Sequence, residues 1–160
     1  RETLSLRLPP MTAWVAVLLG APSALVVGQL LFRAVSRFLP VPEEALREFA
    51  EMLLPAGTPA WKLALLLVVT PAIVEELFFR GFLQPRIGIG LSTLFFALAH
   101  LSYDQPIMLV GVTLLSVLYG LLTLWRQNIW PAIVAHFLFD AIQLLVVIPA
   151  VLELFRPGAP

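Results

Sequence analysis

The fold is decided by an uncharged stretch near the middle of the chain, residues 107–125, which reads IMLVGVTLLSVLYGLLTLW. A helix of this length rises about 28 Å, close to the ~30 Å hydrocarbon layer of a bilayer. The rest of the 160-residue chain is similar: 60% of the residues are hydrophobic and 12% are charged, with a mean hydropathy of +0.95. Soluble domains carry roughly 25% charged residues. The composition therefore predicts an integral membrane protein.

Four further apolar stretches are predicted as membrane spans: 13–32, 61–84, which charged residues interrupt, 87–101 and 129–152. Between the first two, residues 42–54 carry apolar side chains at helical spacing with acidic residues between them, a pattern typical of an amphipathic helix. This helix either lies in the membrane interface or is a solvent-exposed linker. We predict an all-α, polytopic transmembrane helix bundle of about five spans plus this short amphipathic helix.

The predicted organisation has three parts. Residues 1–59 hold the N-terminal span and the amphipathic helix, residues 60–152 form a core of four spans, and residues 153–160 are a disordered tail. Since the sequence begins with Arg1 and not with Met, we expect it to be a fragment of a longer chain.

Several classes of function are excluded by the composition. Ten basic residues balance ten acidic ones, so the chain has no electrostatic footprint for nucleic acid. It contains no cysteine, which excludes a disulfide framework, a cysteine-rich zinc site and a cysteine nucleophile.

A few ionisable residues interrupt the apolar spans, and each costs about 2.5–3.5 kcal/mol at the centre of a membrane. They are Glu75, Glu76 and Arg80 in the second span, His100 in the third, and His136 and Asp140 in the fifth. Counted by helical rise from the connections on one side, four of them lie between about 12 and 20 Å deep. We therefore predict that three helices bring two imidazoles and the acidic side chains to one level near the middle of the bilayer.

Spacing within the second span separates the two glutamates. Glu76 and Arg80 are four residues apart with the acid first, the favoured arrangement for an ion pair, and are predicted to be structural. Glu75 points about 100° away from Glu76 around the helix and has no such partner. A carboxyl of this kind suits general acid or base chemistry.

The third and fifth spans each carry a pair of residues at the same four-residue spacing. Phe96 and His100 share one helical face, so the phenyl ring is predicted to pack under the imidazole. His136 and Asp140 are also four residues apart, and a carboxylate beside an imidazole sets its tautomer or stabilises its charged form.

Three short motifs on these spans resemble, in order, those of the CAAX prenyl endopeptidase and bacteriocin-processing (CPBP) family of intramembrane proteases. Residues 75–80 read EELFFR, residues 96–100 read FALAH and residues 136–140 read HFLFD. The family motifs are Glu-Glu-x-x-x-Arg, Phe-x-x-x-His and His-x-x-x-Asn/Asp. The resemblance covers roughly residues 61–147.

The resemblance implies an all-helical membrane fold with a cavity open to water, in which Glu75 is the general base and His100 its partner. It assigns stabilisation of the oxyanion to His136 and Asp140. Asp140 stands where the prenyl proteases have Asn, and an ionised carboxylate repels an oxyanion unless it is protonated. The remaining motif residues, Glu76, Arg80 and Phe96, are expected to support the site.

We therefore expect a glutamic-type intramembrane endopeptidase of the CAAX-protease-like, bacteriocin-processing or self-immunity type that needs no cofactor. Its partners would be a peptide or protein substrate, free or membrane-anchored, and the lipid bilayer, with no nucleic acid. Its expected location is a bacterial inner or plasma membrane. One variant of this hypothesis adds Zn²⁺, with Glu75, His100, His136 and Asp140 as ligands. Two rival functions are a proton- or ion-coupled transport component and a non-catalytic membrane immunity or scaffold protein.

Overall fold

A computed structural model describes residues 42–55 and 57–154, together with short pieces at 8, 10–15, 17–18, 26, 30, 33–34 and 37–38. The described residues form helices and no β-strand, so the all-α prediction is confirmed. Most of the predicted first span, 13–32, lies outside the described residues, as does the predicted tail from residue 155 onward.

Five helical elements follow one another from residue 43. Helix α1 is Glu43–Leu53, and α2 covers residues 60–83 as Ala60–Leu63, Ala64–Val69, Thr70–Glu76 and Leu77–Leu83. Helix α3 is Gln84–Ala99, and a 3₁₀ turn, Leu101–Tyr103, leads to α4, Pro106–Arg126. Helix α5 covers residues 130–154 as Trp130–Ile142, Gln143–Val147 and Ile148–Leu154.

Helix α2 is widened by two π-type stretches, Ala64–Val69 and Leu77–Leu83. The first ends two residues before Pro71, which has no N–H to donate to the preceding turn. The hydroxyl of Thr70 donates to the carbonyl oxygen of Leu65 at 2.8 Å, so it satisfies one carbonyl of the widened turn. Wide turns of this kind are frequent at functional sites, and the second one directly follows the pair of glutamates.

Gly88 folds the chain back on itself inside α3. Its φ of 83° and ψ of 166° are accessible to glycine and strained for other residues. The hydroxyl of Ser92 donates to the carbonyl oxygen of Phe79 at 2.9 Å, and the rings of Phe79 and Phe96 meet at 4.9 Å. These contacts join the two sides of Gly88, which confirms the tight connection that the sequence predicts there.

By length and composition, two helices of the described part could cross a membrane: Pro106–Arg126 and Trp130–Ala150. They correspond to the predicted fourth and fifth spans. The helix that follows Gly88 covers residues 89–99 and rises only about 16 Å, about half of the hydrocarbon thickness. The described part therefore supports two of the five predicted spans by this measure, and the full polytopic bundle stays a prediction.

The helices pack closely around α4. The side-chain N–H of Gln84 donates to the carbonyl oxygen of Gly120 at 3.1 Å, and a Cβ at Gly120 would lie 2.7 Å from Ile89 Cδ1. Helix α1 covers the other end of the bundle, where Ala50 packs with Val68, and with the α5 residues Leu144 and Ile148. The predicted amphipathic helix is thus present, and its apolar face lies on the core of the chain itself.

Candidate active site

Glu76 is at the centre of the buried part of the site. Its Oε1 lies 3.1 Å from Nη1 of Arg80, one turn along α2, as the spacing predicts. The same oxygen lies 2.9 Å from Nδ1 of His136 on α5. Glu76 and Arg80 are 0% and 1% exposed, so their opposite charges compensate each other where water does not reach.

A second set of contacts fixes Arg80 from α3 and α4. Its Nη2 donates to both the carbonyl oxygen and the hydroxyl of Ser116, at 3.1 and 3.0 Å. The Ser116 hydroxyl in turn donates to Oγ1 of Thr93 at 3.2 Å. The guanidinium also lies 4.5 Å from the centre of the Phe96 ring, which is cation–π range. Arg80 therefore joins α2, α3 and α4 at one point.

Glu75 faces His100 at the more open side of the site. Its Oε2 lies 3.9 Å from Nε2 of His100, and the two side chains are 28% and 14% exposed. This distance is too long for a direct hydrogen bond but suits one bridging water. Among the described residues, Oε2 of Glu75 has no hydrogen-bond partner.

The tautomer of neutral His100 is set by its own helix. Nδ1 lies 2.7 Å from the carbonyl oxygen of Phe96, and a carbonyl only accepts hydrogen bonds. We assign the proton of the neutral ring to Nδ1, which leaves the lone pair of Nε2 directed toward Glu75. The Phe96 ring stacks on the imidazole at 4.5 Å with an interplanar angle of 28°, as the sequence predicts.

His136 lies between two carboxylates. Besides the contact of Nδ1 with Glu76, its Nε2 lies 3.3 Å from Oδ2 of Asp140, so the predicted pairing along α5 is confirmed. An ionised carboxylate only accepts hydrogen bonds, so both contacts are satisfied together when the ring carries two protons. The ring of Tyr119 stacks on the imidazole at 5.0 Å and an interplanar angle of 21°.

The structure brings all seven predicted residues into one continuous set of contacts: Glu75, Glu76, Arg80, Phe96, His100, His136 and Asp140. Burial divides this set. Glu75, His100 and Asp140 are partly exposed, whereas Glu76 and Arg80 are closed off. The site thus has a buried structural part, Glu76 and Arg80, next to a partly exposed one. Which of these residues take part in catalysis stays a prediction.

Sequence reasoning missed the residues that connect different helices. Ser92 and Ser116 are of types that commonly bond to their own helix, yet both bond to neighbouring helices. Tyr119 and Thr93 carry no sequence signal apart from being polar groups in apolar surroundings. Thr113 does bond within its helix, to the carbonyl oxygen of Leu109 at 2.7 Å.

The zinc hypothesis requires several ligands to converge on one point. In the part of the chain that the structure describes, no three His, Asp or Glu side chains are grouped so that they could hold a metal ion. Both nitrogens of His136 already face carboxylate oxygens, so a metal would have to displace one of these contacts. As placed in the structure, these four side chains do not converge on one point, and whether the reaction needs a metal stays a prediction.

Comparison with known proteins supports the family resemblance of the three motifs. The family model of type II CAAX prenyl endopeptidase Rce1-like proteins matches residues 57–142, more than half of the chain and all seven site residues. The uncharacterized protein YpbD of Bacillus subtilis (strain 168) is 39% identical over 72 residues, which are 44% of this chain and 38% of YpbD. The match therefore covers well under half of that relative. No solved structure matches the chain.

Proposed function

Since the chain belongs to the Rce1-like family of type II CAAX prenyl endopeptidases, we propose that it is an intramembrane endopeptidase of the glutamic type. The family is a membrane-embedded family of proteases. The proposal assigns the hydrolysis of a peptide bond to an activated water, with no covalent intermediate and no cofactor. The bacterial inner or plasma membrane is the proposed location.

One observation carries the proposal: Glu75 Oε2 lies 3.9 Å from His100 Nε2, and both side chains are partly exposed. A water between them can donate one proton to the Glu75 carboxylate and the other to the lone pair of Nε2. Its own lone pair is then free to attack a carbonyl carbon. Two hydrogen bonds in fixed directions orient the water so that its lone pair points toward the substrate.

The proton balance of the reaction follows from this arrangement. As the water oxygen bonds to the carbonyl carbon, its proton passes to Glu75, and the carbonyl oxygen becomes an oxyanion. When the tetrahedral intermediate collapses, Glu75 returns the proton to the departing amine nitrogen. His100 orients the water through Nε2, while its Nδ1 proton stays bonded to the Phe96 carbonyl oxygen.

His136 is proposed to stabilise the oxyanion through the proton on Nε2. This nitrogen lies 3.3 Å from Asp140 Oδ2, beyond the usual range of N–H···O bonds, so an oxyanion can compete for the proton. Asp140 then assists only when it is protonated, because an ionised carboxylate repels the developing charge. Glu76 holds Nδ1 and keeps the ring in place.

The proposed substrate is a peptide or protein segment that reaches the partly exposed face, either from water or from a membrane anchor. The family name points to C-terminal CAAX sequences, whereas in a bacterial membrane the proposed substrates are peptides, bacteriocin precursors or membrane partners. Purified protein in nanodiscs would be incubated with membrane-anchored and free fluorogenic peptides. Cleavage with a defined product supports the proposal, whereas ion flux in liposomes without cleavage would favour a transport function.

A further inference from the structure

A line of aromatic contacts connects helix α1 to the candidate catalytic histidine. Tyr103, in the turn between α3 and α4, meets the His100 ring edge-on at 5.2 Å with an interplanar angle of 76°. The Tyr103 ring also meets the ring of Phe49 on α1, at a centroid distance of 5.1 Å and an interplanar angle of 77°. Tyr103 thus lies between α1 and the site.

Apart from Glu75 on α2 and a backbone bond from the Tyr103 N–H, the other contacts of His100 come from within α3. Phe96 covers one face of the imidazole and its carbonyl oxygen holds Nδ1. At the end of α3, His100 is the last residue before the 3₁₀ turn and has left helical geometry, with φ −106° and ψ 13°, and only its backbone is bonded there, to Ala97 and Tyr103. A residue at such a boundary needs support from outside its own helix to keep one orientation.

We propose that Tyr103 is a positioning residue for His100 and that α1, through Phe49, holds Tyr103 in place. This inference rests on the proposed function for its kinetic consequences. Helix α1 lies outside the region that the family model matches, residues 57–142. The support of the histidine is therefore provided by a part of the chain that the family motifs do not describe.

Helix α1 is anchored well enough to act as a support. Its buried residue Ala50 packs on Val68 of α2 and on Leu144 and Ile148 of α5. Phe49 directly precedes Ala50 in the helix, and its ring contacts that of Tyr103. A displacement of α1 would therefore be transmitted to the imidazole through two ring contacts.

The phenol of Tyr103 stays neutral in this environment. Burial raises the pKa of Tyr103 to about 12, and the negative charges of Asp140 and Glu75 add to the effect. The hydroxyl is therefore in electrostatic range of both site carboxylates without carrying a charge of its own. The proposed role needs only the ring, so the hydroxyl should be dispensable.

The test compares Tyr103→Leu, which removes the ring, with Tyr103→Phe, which keeps it. We expect Tyr103→Leu to lower kcat by roughly two- to twelvefold, the equivalent of one aromatic pair, with KM unchanged. Tyr103→Phe should retain wild-type kcat. Phe49→Leu, at the outer contact, should lower kcat in the same direction, and Met52→Ala, an exposed position of the same helix, should not.

A readout independent of activity is given by the imidazole nitrogen signals. The chain has only two histidines, so ¹⁵N-histidine NMR resolves His100 after comparison with a His100→Gln chain. We expect distinct Nδ1 and Nε2 shifts in the wild type and in Tyr103→Phe, and averaged shifts in Tyr103→Leu and Phe49→Leu. Wild-type kcat and wild-type His100 shifts in folded Tyr103→Leu would overturn the inference.

The experiments distinguish failure of the proposed endopeptidase function from failure of the proposed role of Tyr103. If the wild-type chain cleaves no peptide, the proposed function fails, and the NMR comparison alone decides the role of Tyr103. If Tyr103→Leu does not fold, as judged by its melting transition, Phe49→Leu carries the test. Unchanged His100 shifts in folded Phe49→Leu would then contradict the support by α1.

Discussion

Nδ1 of His136 lies 2.9 Å from Oε1 of Glu76, although the two residues lie on different helices and sixty positions apart in sequence. The same carboxylate oxygen also faces Arg80 at 3.1 Å. One buried acid therefore holds a guanidinium and an imidazole at once. This makes Glu76 the residue on which the geometry of the site depends, while Glu75, its neighbour in sequence, faces the open side.

Glu76→Gln is expected to destabilise the fold by about 3–5 kcal/mol, because the charge of Arg80 would be left buried without its counter-ion. The loss would be measured as a lower melting temperature and a lower midpoint of chemical denaturation in detergent. Glu51→Gln, in the exposed pair with Arg47, is the matched control and should leave stability unchanged. Equal stability of Glu76→Gln and the wild type would contradict the structural role of Glu76.

Glu75→Gln is expected to leave the melting temperature unchanged and to lower kcat by about 10²–10⁴-fold, the usual contribution of a general base. The amide keeps the shape of the side chain but cannot take the proton of a water. The measurement is peptide cleavage in nanodiscs, with folded Glu75→Gln protein compared at the same concentration. Full activity in this variant would rule out Glu75 as the base.

The contacts that could be predicted from the sequence are those within a single helix. The pairs Glu76–Arg80, Phe96–His100 and His136–Asp140 are each four residues apart, and helical geometry alone brings them together. Convergence of the three helices was also predictable, because unpaired polar groups in apolar spans are costly and must find one another.

Contacts between helices could not be predicted in the same way. Whether Glu76 or Glu75 meets His136 depends on how far α2 and α5 are rotated about their axes, and one sequence does not fix that rotation. The bond from Arg80 to Ser116 likewise depends on how α2 and α4 are rotated about their axes. The length of the third predicted span was also wrong in detail, because Gly88 begins the helix later than the apolar stretch suggests.

Metal chelation tests the glutamic mechanism against the zinc-dependent one. Because the described His, Asp and Glu side chains form no metal-binding group, we expect EDTA and 1,10-phenanthroline to leave peptide cleavage unchanged. Activity would be compared before and after chelation and again after Zn²⁺ is added back. Loss on chelation followed by recovery with zinc would favour the metal-dependent mechanism.

The Ser116–Thr93 contact should be coupled to the position of Arg80. Ser116→Ala removes one of the two acceptors of Nη2, and Thr93→Val removes the acceptor of the serine hydroxyl. We expect each variant to lose about 1–3 kcal/mol of stability. Since the two groups share one network, the double variant should lose less than the sum by about 0.5 kcal/mol or more. Strict additivity in denaturation measurements would show that the network is not cooperative.

Gly120 is predicted to be a position where a side chain has to displace the side chains of Ile89 and Gln84, since α3 and α4 approach closely there. A Cβ would lie 2.7 Å from Ile89 Cδ1 and 2.8 Å from Gln84 Oε1. Gly120→Ala should therefore lower stability by about 1–3 kcal/mol, as overpacking does.

Gly111, on the same helix, has no atom within 4 Å of such a Cβ among the described residues. Gly111→Ala should be neutral or stabilising by up to about 1 kcal/mol, because alanine favours the helix. If both variants melt at the same temperature in detergent, the Ile89 and Gln84 side chains do not resist a methyl group at Gly120, and the predicted overpacking is contradicted.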